Sequence, residues 1–339
     1  MHILITGGAG FLGQRLAIAL LTHPLVKSLT LADIVMPPVP TASDVAQPAA
    51  MKTTVTCLQA DLRDPQAVNA LVTPELTAIY HLAAVVSSQA EADFDLGMAV
   101  NGEGTRNLLE AVRHQAPDAL FIFASSLAVF GGELPAVITD KTAVMPQSSY
   151  GMQKAVAELW VNDYSRRGFI DGRVLRLPTV CVRPGKPNAA ASSFASSIIR
   201  EPLKGETAIC PVDPSLPLWL SSPGTVTRNL VHSLTVPADS FRQLGDTRTV
   251  NLPGITVTVQ AMIEALEQVA GTAATQHIQY ESDQAIAKIV ASWPSRFEVT
   301  QAIALGFSGD RTFTDIVRAH IKDTQMPGTQ RPETQTEKG

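Results

Sequence analysis

Two hydrophobic periods alternate along the first half of this chain. Short, continuous apolar runs rich in β-branched residues, at 2–6, 28–32, 53–58, 78–82 and 120–124, read as strands. Between them, apolar positions at helical spacing predict helices over 11–21, 66–72, 104–115 and 150–166. Strands that are apolar throughout are covered on both faces. The alternation therefore predicts a doubly wound α/β fold, a Rossmann-type parallel sheet with helices on either side. Residues 173–177 add a sixth strand and 249–252 a late seventh. Beyond about 178 the alternation stops in segments rich in Pro and Ser, and helices follow at 226–234, 260–270 and 312–321. The expected organisation is a nucleotide half (1–178), a smaller α/β substrate-facing half (179–322) with segments returning to the sheet, and a polar tail (323–339).

Composition narrows the class. Of 339 residues, 45% are hydrophobic and 17% charged, which excludes a disordered chain. A net charge of −5 is the wrong sign for a protein that gains affinity by neutralising phosphates, so nucleic acid is not an expected partner. Cys57, Cys181 and Cys210 are too few and too scattered for a disulfide framework, and the seven histidines lack metal-ligand spacing, so no metal is expected. No apolar run reaches membrane-spanning length. The apolar N-terminus has no basic region ahead of it, as a signal peptide would, and its glycines fall at spacings with a better explanation, so a cytoplasmic location is expected and no membrane partner. Residues 35–50 form a Pro-rich surface loop.

Glycines 7, 10 and 13 in TGGAGFLG fall directly between a strand and a helix. Gly7 allows the tight turn, Gly10 lets backbone approach a pyrophosphate, Gly13 permits close helix–sheet packing, and the helix N-terminus offers free N–H groups to phosphate. Asp33 lies twenty residues past Gly13. A carboxylate there accepts the adenosine ribose hydroxyls and repels a 2′-phosphate, and Ile34-Val35-Met36-Pro37 supplies no arginine to reverse that preference. NAD is the expected cofactor. Tyr150 and Lys154, four apart, share one helix face behind a Pro-Gln-Ser-Ser start. A tyrosine titrating near 10 is a poor base at neutral pH. A nearby lysine and a nicotinamide cation would together have to supply roughly 4 kcal/mol to bring it to about 7.

The GGxGxxG loop, Asp61-Leu62, His81-Leu82-Ala83-Ala84, Asn101 with Gly104-Thr105, Ser125-Ser126 and Tyr150-Gly151-Met152-Gln153-Lys154 occur in an order that resembles the extended short-chain dehydrogenases/reductases, the NAD-dependent epimerase/dehydratase family, over about residues 2–185. The resemblance implies catalysis by Ser126, Tyr150 and Lys154, with Ser126 three residues before Val129, Ser125 as the fallback serine, and Phe130 where the family has tyrosine. It implies cofactor contacts at Gly7, Gly10, Phe11, Leu12, Gly13, Asp33, Asp61, Leu62, Leu82, Ala83, Ala84, Asn101, Ser125, Tyr150, Lys154, Pro178 and Val180. Residues 83–87, 90–95, 181–188, 191–196, 199–203 and 219–223 resemble a subgroup, the D-erythronate dehydrogenases, which oxidise the 2-hydroxyl of a four-carbon sugar acid to a 2-oxo acid.

A small carboxylate needs cations or several donors in a closed pocket. Candidates are Arg183, Lys186 and Asn188, with Ser87, Ser126 and Thr179 for the hydroxyls; Trp219 and Arg228 are further options. A nucleotide-sugar 4-epimerase is the alternative within the family. Dehydration is disfavoured because Ser126-Leu127-Ala128 lacks the Asp-Glu pair it requires. An NAD-binding sensor or scaffold is the alternative outside catalysis. The family's four-helix dimer interface implies a homodimer. Leu108, Leu109, Val112, Val156, Leu159 and Trp160 serve either that interface or the sheet.

Overall fold

A computed structural model describes residues 1–41, 44, 52–185, 190–245 and 247–325. Half of the Pro-rich loop, Lys186, Asn188 and the tail from 326 onward lie outside the described residues. The strands are β1 (His2–Thr6), β2 (Ser28–Asp33), β3 (Thr54–Gln59), β4 (Ala78–His81), β5 (Leu120–Ser126), β6 (Asp171–Leu177), β7 (Thr179–Val180), β8 (Ala208–Cys210), β9 (Pro217–Ser221), β10 (Thr249–Asn251), β11 (Ile255–Thr258) and β12 (Ile278–Tyr280). Seven of them form one parallel sheet in the order β10-β6-β5-β4-β1-β2-β3. The order reverses between β1 and β4, which opens a crevice at their carboxyl ends, where open α/β sheets take their ligands.

The helices are α1 (Phe11–Leu20), α2 (Pro65–Leu71), α3 (Ser87–Ala92), α4 (Phe94–Gly97), α5 (Thr105–Gln115), α6 (Ser149–Arg166), α7 (Ser193–Arg200) and α8 (Pro223–His232), with longer ones later at Val259–Ala270 and Phe313–Gln325. Successive strand side chains point to opposite faces, so the sheet has two cores. Ile3, Ile5, Leu29 and Leu31 pack with Leu16 and Leu20 of α1 and Leu230 of α8. Leu4, Ile79, Phe121 and Phe123 pack with Leu108, Leu109 and Val112 of α5 and Val161 of α6. Those three α5 residues, expected to serve either interface or sheet, are fully buried against the sheet; on α6, Val156 and Trp160 are half-buried and Leu159 is 63% exposed.

A third core, built on Phe194 and Ile198 of α7 with Leu218, Leu220, Met262, Leu266 and Val317, holds the C-terminal half together. Around it lie a three-stranded sheet (β11-β9-β7) and a two-stranded one (β12-β8). The Pro- and Ser-rich stretch that reads as irregular therefore contains α7, β8 and β9. In α7, serines sit between Phe194, Ala195, Ile198 and Ile199 and mask a helical stripe that is buried. β10 pairs in parallel with β6 (Val250 opposite Leu175), so the late seventh strand sits in the main sheet. Before α5 the chain makes a π-helical turn, Met98–Gly104, carrying Asn101.

Candidate active site

Gly7 adopts a left-handed conformation, φ +75°, and a side chain at Gly13 would put Cβ 2.2 Å from the Gly7 carbonyl oxygen. The loop and the start of α1 are in backbone contact, and only glycine fits there. Gly10 caps α1 with no side-chain hydrogen bond, so the first-turn N–H groups of a helix N-terminus are left for an anion. Asp33 closes the far side of this loop: Oδ2 accepts from the Ala9 N–H at 3.0 Å and Oδ1 from Ile34 N–H at 2.7 Å. An uncapped helix N-terminus behind a turn with no room for side chains, with a carboxylate at the end of β2, fits a dinucleotide with free ribose hydroxyls.

α6 starts where Ser148 accepts from the Gly151 N–H at 3.1 Å. A Cβ on Gly151 would lie 2.1 Å from the Ala128 carbonyl oxygen, in the helical turn Leu127–Val129 that follows Ser126. Glycine at 151 thus lets α6 press on that turn and sets Tyr150 beside Ser126, whose hydroxyl bonds the phenol. Ser125, the neighbour, is turned the other way; its hydroxyl donates to Glu158 Oε1 at 2.5 Å. Geometry separates the two serines and leaves Ser126 to face the reacting centre.

Burial pushes Tyr150 up to about 12, opposed by the hydrogen bond from Ser126 and the charge of Arg183. Lys154 lies one turn farther along α6. Its ammonium donates to the Ala124 carbonyl at 2.9 Å, over the Phe123 ring (4.6 Å to the centre) and 5.8 Å from the centre of the Tyr150 ring. Burial lowers Lys154 itself to about 8, with Glu158 opposing the change.

A cavity of about 340 Å³ opens at this crevice. Around it stand Gly7, Gly10, Phe11, Leu12 and Gly13 from the loop, Leu82 and Ala84 beyond β4, Ser125, Ser126, Tyr150 and Lys154, and then Pro178, Thr179, Val180, Ser87 and Arg183. Asp33, Asp61, Leu62, Ala83 and Asn101 stand outside its lining. Asp61 is gripped by Arg63 (Nη2 to Oδ2, 2.6 Å), and Leu62 is buried against the α2 and α5 core. Asn101 works from behind the wall, bonding both backbone groups of Val85 (2.8 and 3.0 Å) and Gln153 Oε1 at 2.7 Å. His81 is locked between Thr6 and Thr105 hydroxyls and, lowered by burial to about 3, stays neutral.

Trp219 and Arg228 do not reach the cavity. Trp219 packs on Phe297, and Arg228 donates to Thr225. Ser87 lines the cavity and also accepts from the Ala191 N–H at 3.2 Å, tying α3 to the C-terminal half. Ser196 Oγ accepts from the Arg183 N–H, while the Arg183 carbonyl accepts from Arg200, so the loop carrying this cation is anchored on α7. Of the wall residues that the sequence reading missed, Trp293 comes from farthest along the chain. No local motif marks it.

Residues 3–235 match the NAD dependent epimerase/dehydratase family. The chain is 52% identical to a D-erythronate dehydrogenase of Haemophilus influenzae, covering 95% of this chain and 99% of that one. It is 49% identical to a D-erythronate dehydrogenase of Cupriavidus necator, covering 96% and 99%. Among solved structures, a protein of Agrobacterium tumefaciens described as a nucleoside-diphosphate-sugar epimerase superposes with a TM-score of 0.88 at 39% identity, over 97% of this chain and 96% of that one. With its glycine cradle, Asp33 and Tyr150–Lys154 pair in place, the chain belongs to the NAD-dependent epimerase/dehydratase family, in the extended short-chain dehydrogenase/reductase branch, and is an NAD-dependent oxidoreductase.

Proposed function

We propose that this enzyme oxidises the 2-hydroxyl of a small sugar acid, D-erythronate or a near relative, to the 2-oxo acid. The observation that carries the reading is the identity of about half, over nearly the whole chain, with two D-erythronate dehydrogenases. The cavity supports it: the wall that carries Ser126 and Tyr150 also carries Arg183, a cation for a carboxylate.

When bound, NAD supplies the hydride acceptor and a positive ring near the phenol. Tyr150 takes the proton of the 2-hydroxyl, Ser126 holds that oxygen, and Arg183 takes the carboxylate as a charge-assisted pair. Lys154 stands on the same helix face as Tyr150, so its cation and the ribose hydroxyls belong to one site. Because the protein alone, with Arg183 already opposing burial, holds Tyr150 near 12, ionising it at pH 7 takes about 7 kcal/mol beyond what the protein's own charges supply. Residues 1–178 make up the nucleotide half and 179–322 the substrate half, and two copies pair through α5 and α6, where Leu159 is exposed. The second reading, a nucleotide-sugar 4-epimerase, is favoured by the Agrobacterium likeness.

Supplying NAD with D-erythronate and related 2-hydroxy acids should generate NADH stoichiometrically, with Tyr150→Phe silent. Interconversion of UDP-sugars without net NADH, and no response to acids, would replace this reading with the second.

A further inference from the structure

We infer that Glu158 is a positioning residue for this reaction: from behind the cavity wall it fixes the strand end that presents Ser126 and sets the charge around Lys154. Glu158 lies one helical turn beyond Lys154 on α6 and is 3% exposed. Its carboxylate accepts three hydrogen bonds, from Ser125 Oγ (2.5 Å), Arg176 Nε (2.9 Å) and Arg176 Nη2 (2.6 Å). Arg176 in turn stacks 4.7 Å from the centre of the Phe130 ring. One carboxylate therefore joins α6, the end of β5, β6 and the turn carrying Phe130. The inference rests on Ser126, Tyr150 and Lys154 being the reacting group.

Stability alone is a poor reason for such a pair. Buried ion pairs are often replaced by apolar residues with no loss of stability, and Arg176 Nη1 has no partner, which adds to the cost. What the pair does supply is direction. Ser125 and Ser126 are consecutive in an extended strand, so holding the Ser125 hydroxyl inward holds Ser126 outward toward Tyr150.

It also supplies charge. The groups facing Lys154 are Tyr150 and Glu158 on α6, neutral His81 on β4, and the Ala124 carbonyl and Phe123 ring on β5; Glu158 is in turn held by Arg176 on β6, which Asp140 faces. Among these, Glu158 is the negative charge that favours the ammonium form, against burial that pulls Lys154 to about 8. Without it, Lys154 and Arg176 both lose their buried counter-charge.

The test is titration of Lys154 by lysine-selective carbon-13 NMR in the full chain, its signal identified by disappearance in Lys154→Met. Glu158→Gln keeps the volume and removes the charge. Its Lys154 midpoint should fall by about one pH unit, the lower bound for loss of a close opposite charge. The alkaline limb of the kcat profile should fall with it while KM stays within about twofold. Ser125→Ala breaks only the strand-end bond; it should lower kcat several-fold and leave the lysine midpoint in place, and Glu158→Asp should restore the midpoint. An unmoved midpoint in well-folded Glu158→Gln overturns the charge role, and unchanged kcat in Ser125→Ala overturns the strand-end role. The NMR midpoint needs no substrate, so a wrong choice of sugar acid cannot imitate the first failure; the second is read only against measurable wild-type turnover, which a wrong sugar acid would not give.

Discussion

Lys154 is expected to weaken the fold that it serves. Its side chain is enclosed by α6, β5 and β6, and burial draws it from 10.5 to about 8. At roughly 1.4 kcal/mol per pH unit, keeping it protonated at neutral pH costs the folded state about 3 kcal/mol. Lys154→Met removes that cost at nearly constant volume and gives up the hydrogen bond to Ala124, worth about 1 kcal/mol. The variant should therefore be more stable by about 2 kcal/mol at pH 7, and inactive. The sign follows from the direction of the change. A lysine depressed in the folded state sheds its proton there first, so the full cost applies below about pH 8, is relieved as pH rises from about 8 to 10.5, and is gone above that. Urea unfolding of both proteins across pH 7 to 10.5 measures the difference. A variant less stable than wild type at pH 7, or an advantage that does not shrink by pH 10.5, would refute the reasoning.

Other outcomes follow from the same geometry. Gly13→Ala sets a methyl against the Gly7 carbonyl and should weaken NAD binding at least tenfold by calorimetry, with the sheet still folded. Arg183→Ala should raise KM for sugar acids by about ten- to a hundredfold, the range of a lost charge-assisted bond, and change the corresponding uncharged polyols little. Trp293→Ala removes the wall contributed by the far end of the chain, and kcat/KM for five- and six-carbon acids should rise relative to four-carbon ones; an unchanged ratio would mean that chain length is set elsewhere.

The nucleotide half was legible because its signals are local. Continuous apolar runs mark the parallel strands, the glycine trio marks a turn with no space for side chains, and Tyr150 and Lys154 share a helix face by spacing alone. What stayed hidden depends on contacts distant in sequence. Glu158 and Arg176 read as ordinary charges until α6 and β6 pack side by side. Trp293 reaches the cavity only because the C-terminal half folds back over it. The high value for Tyr150 follows from enclosure, which no spacing rule measures, and the direction of Lys154 is set by the Ala124 carbonyl. In α7 the helical stripe was obscured by small polar residues that the packed interior tolerates.

β10 has a consequence for how this protein can be recombined. Three residues, Thr249–Asn251, cross back from the second half to close the edge of β6, and Asn162 of α6 grips the same segment through Thr249 Oγ1 and the Arg248 N–H. A fragment ending at 178 would keep the glycine loop, Ser126, Tyr150 and Lys154, yet leave the β6 edge bare as a template for aggregation. Exchanging specificity halves between relatives therefore needs three junctions: one after β6 and one on each side of β10.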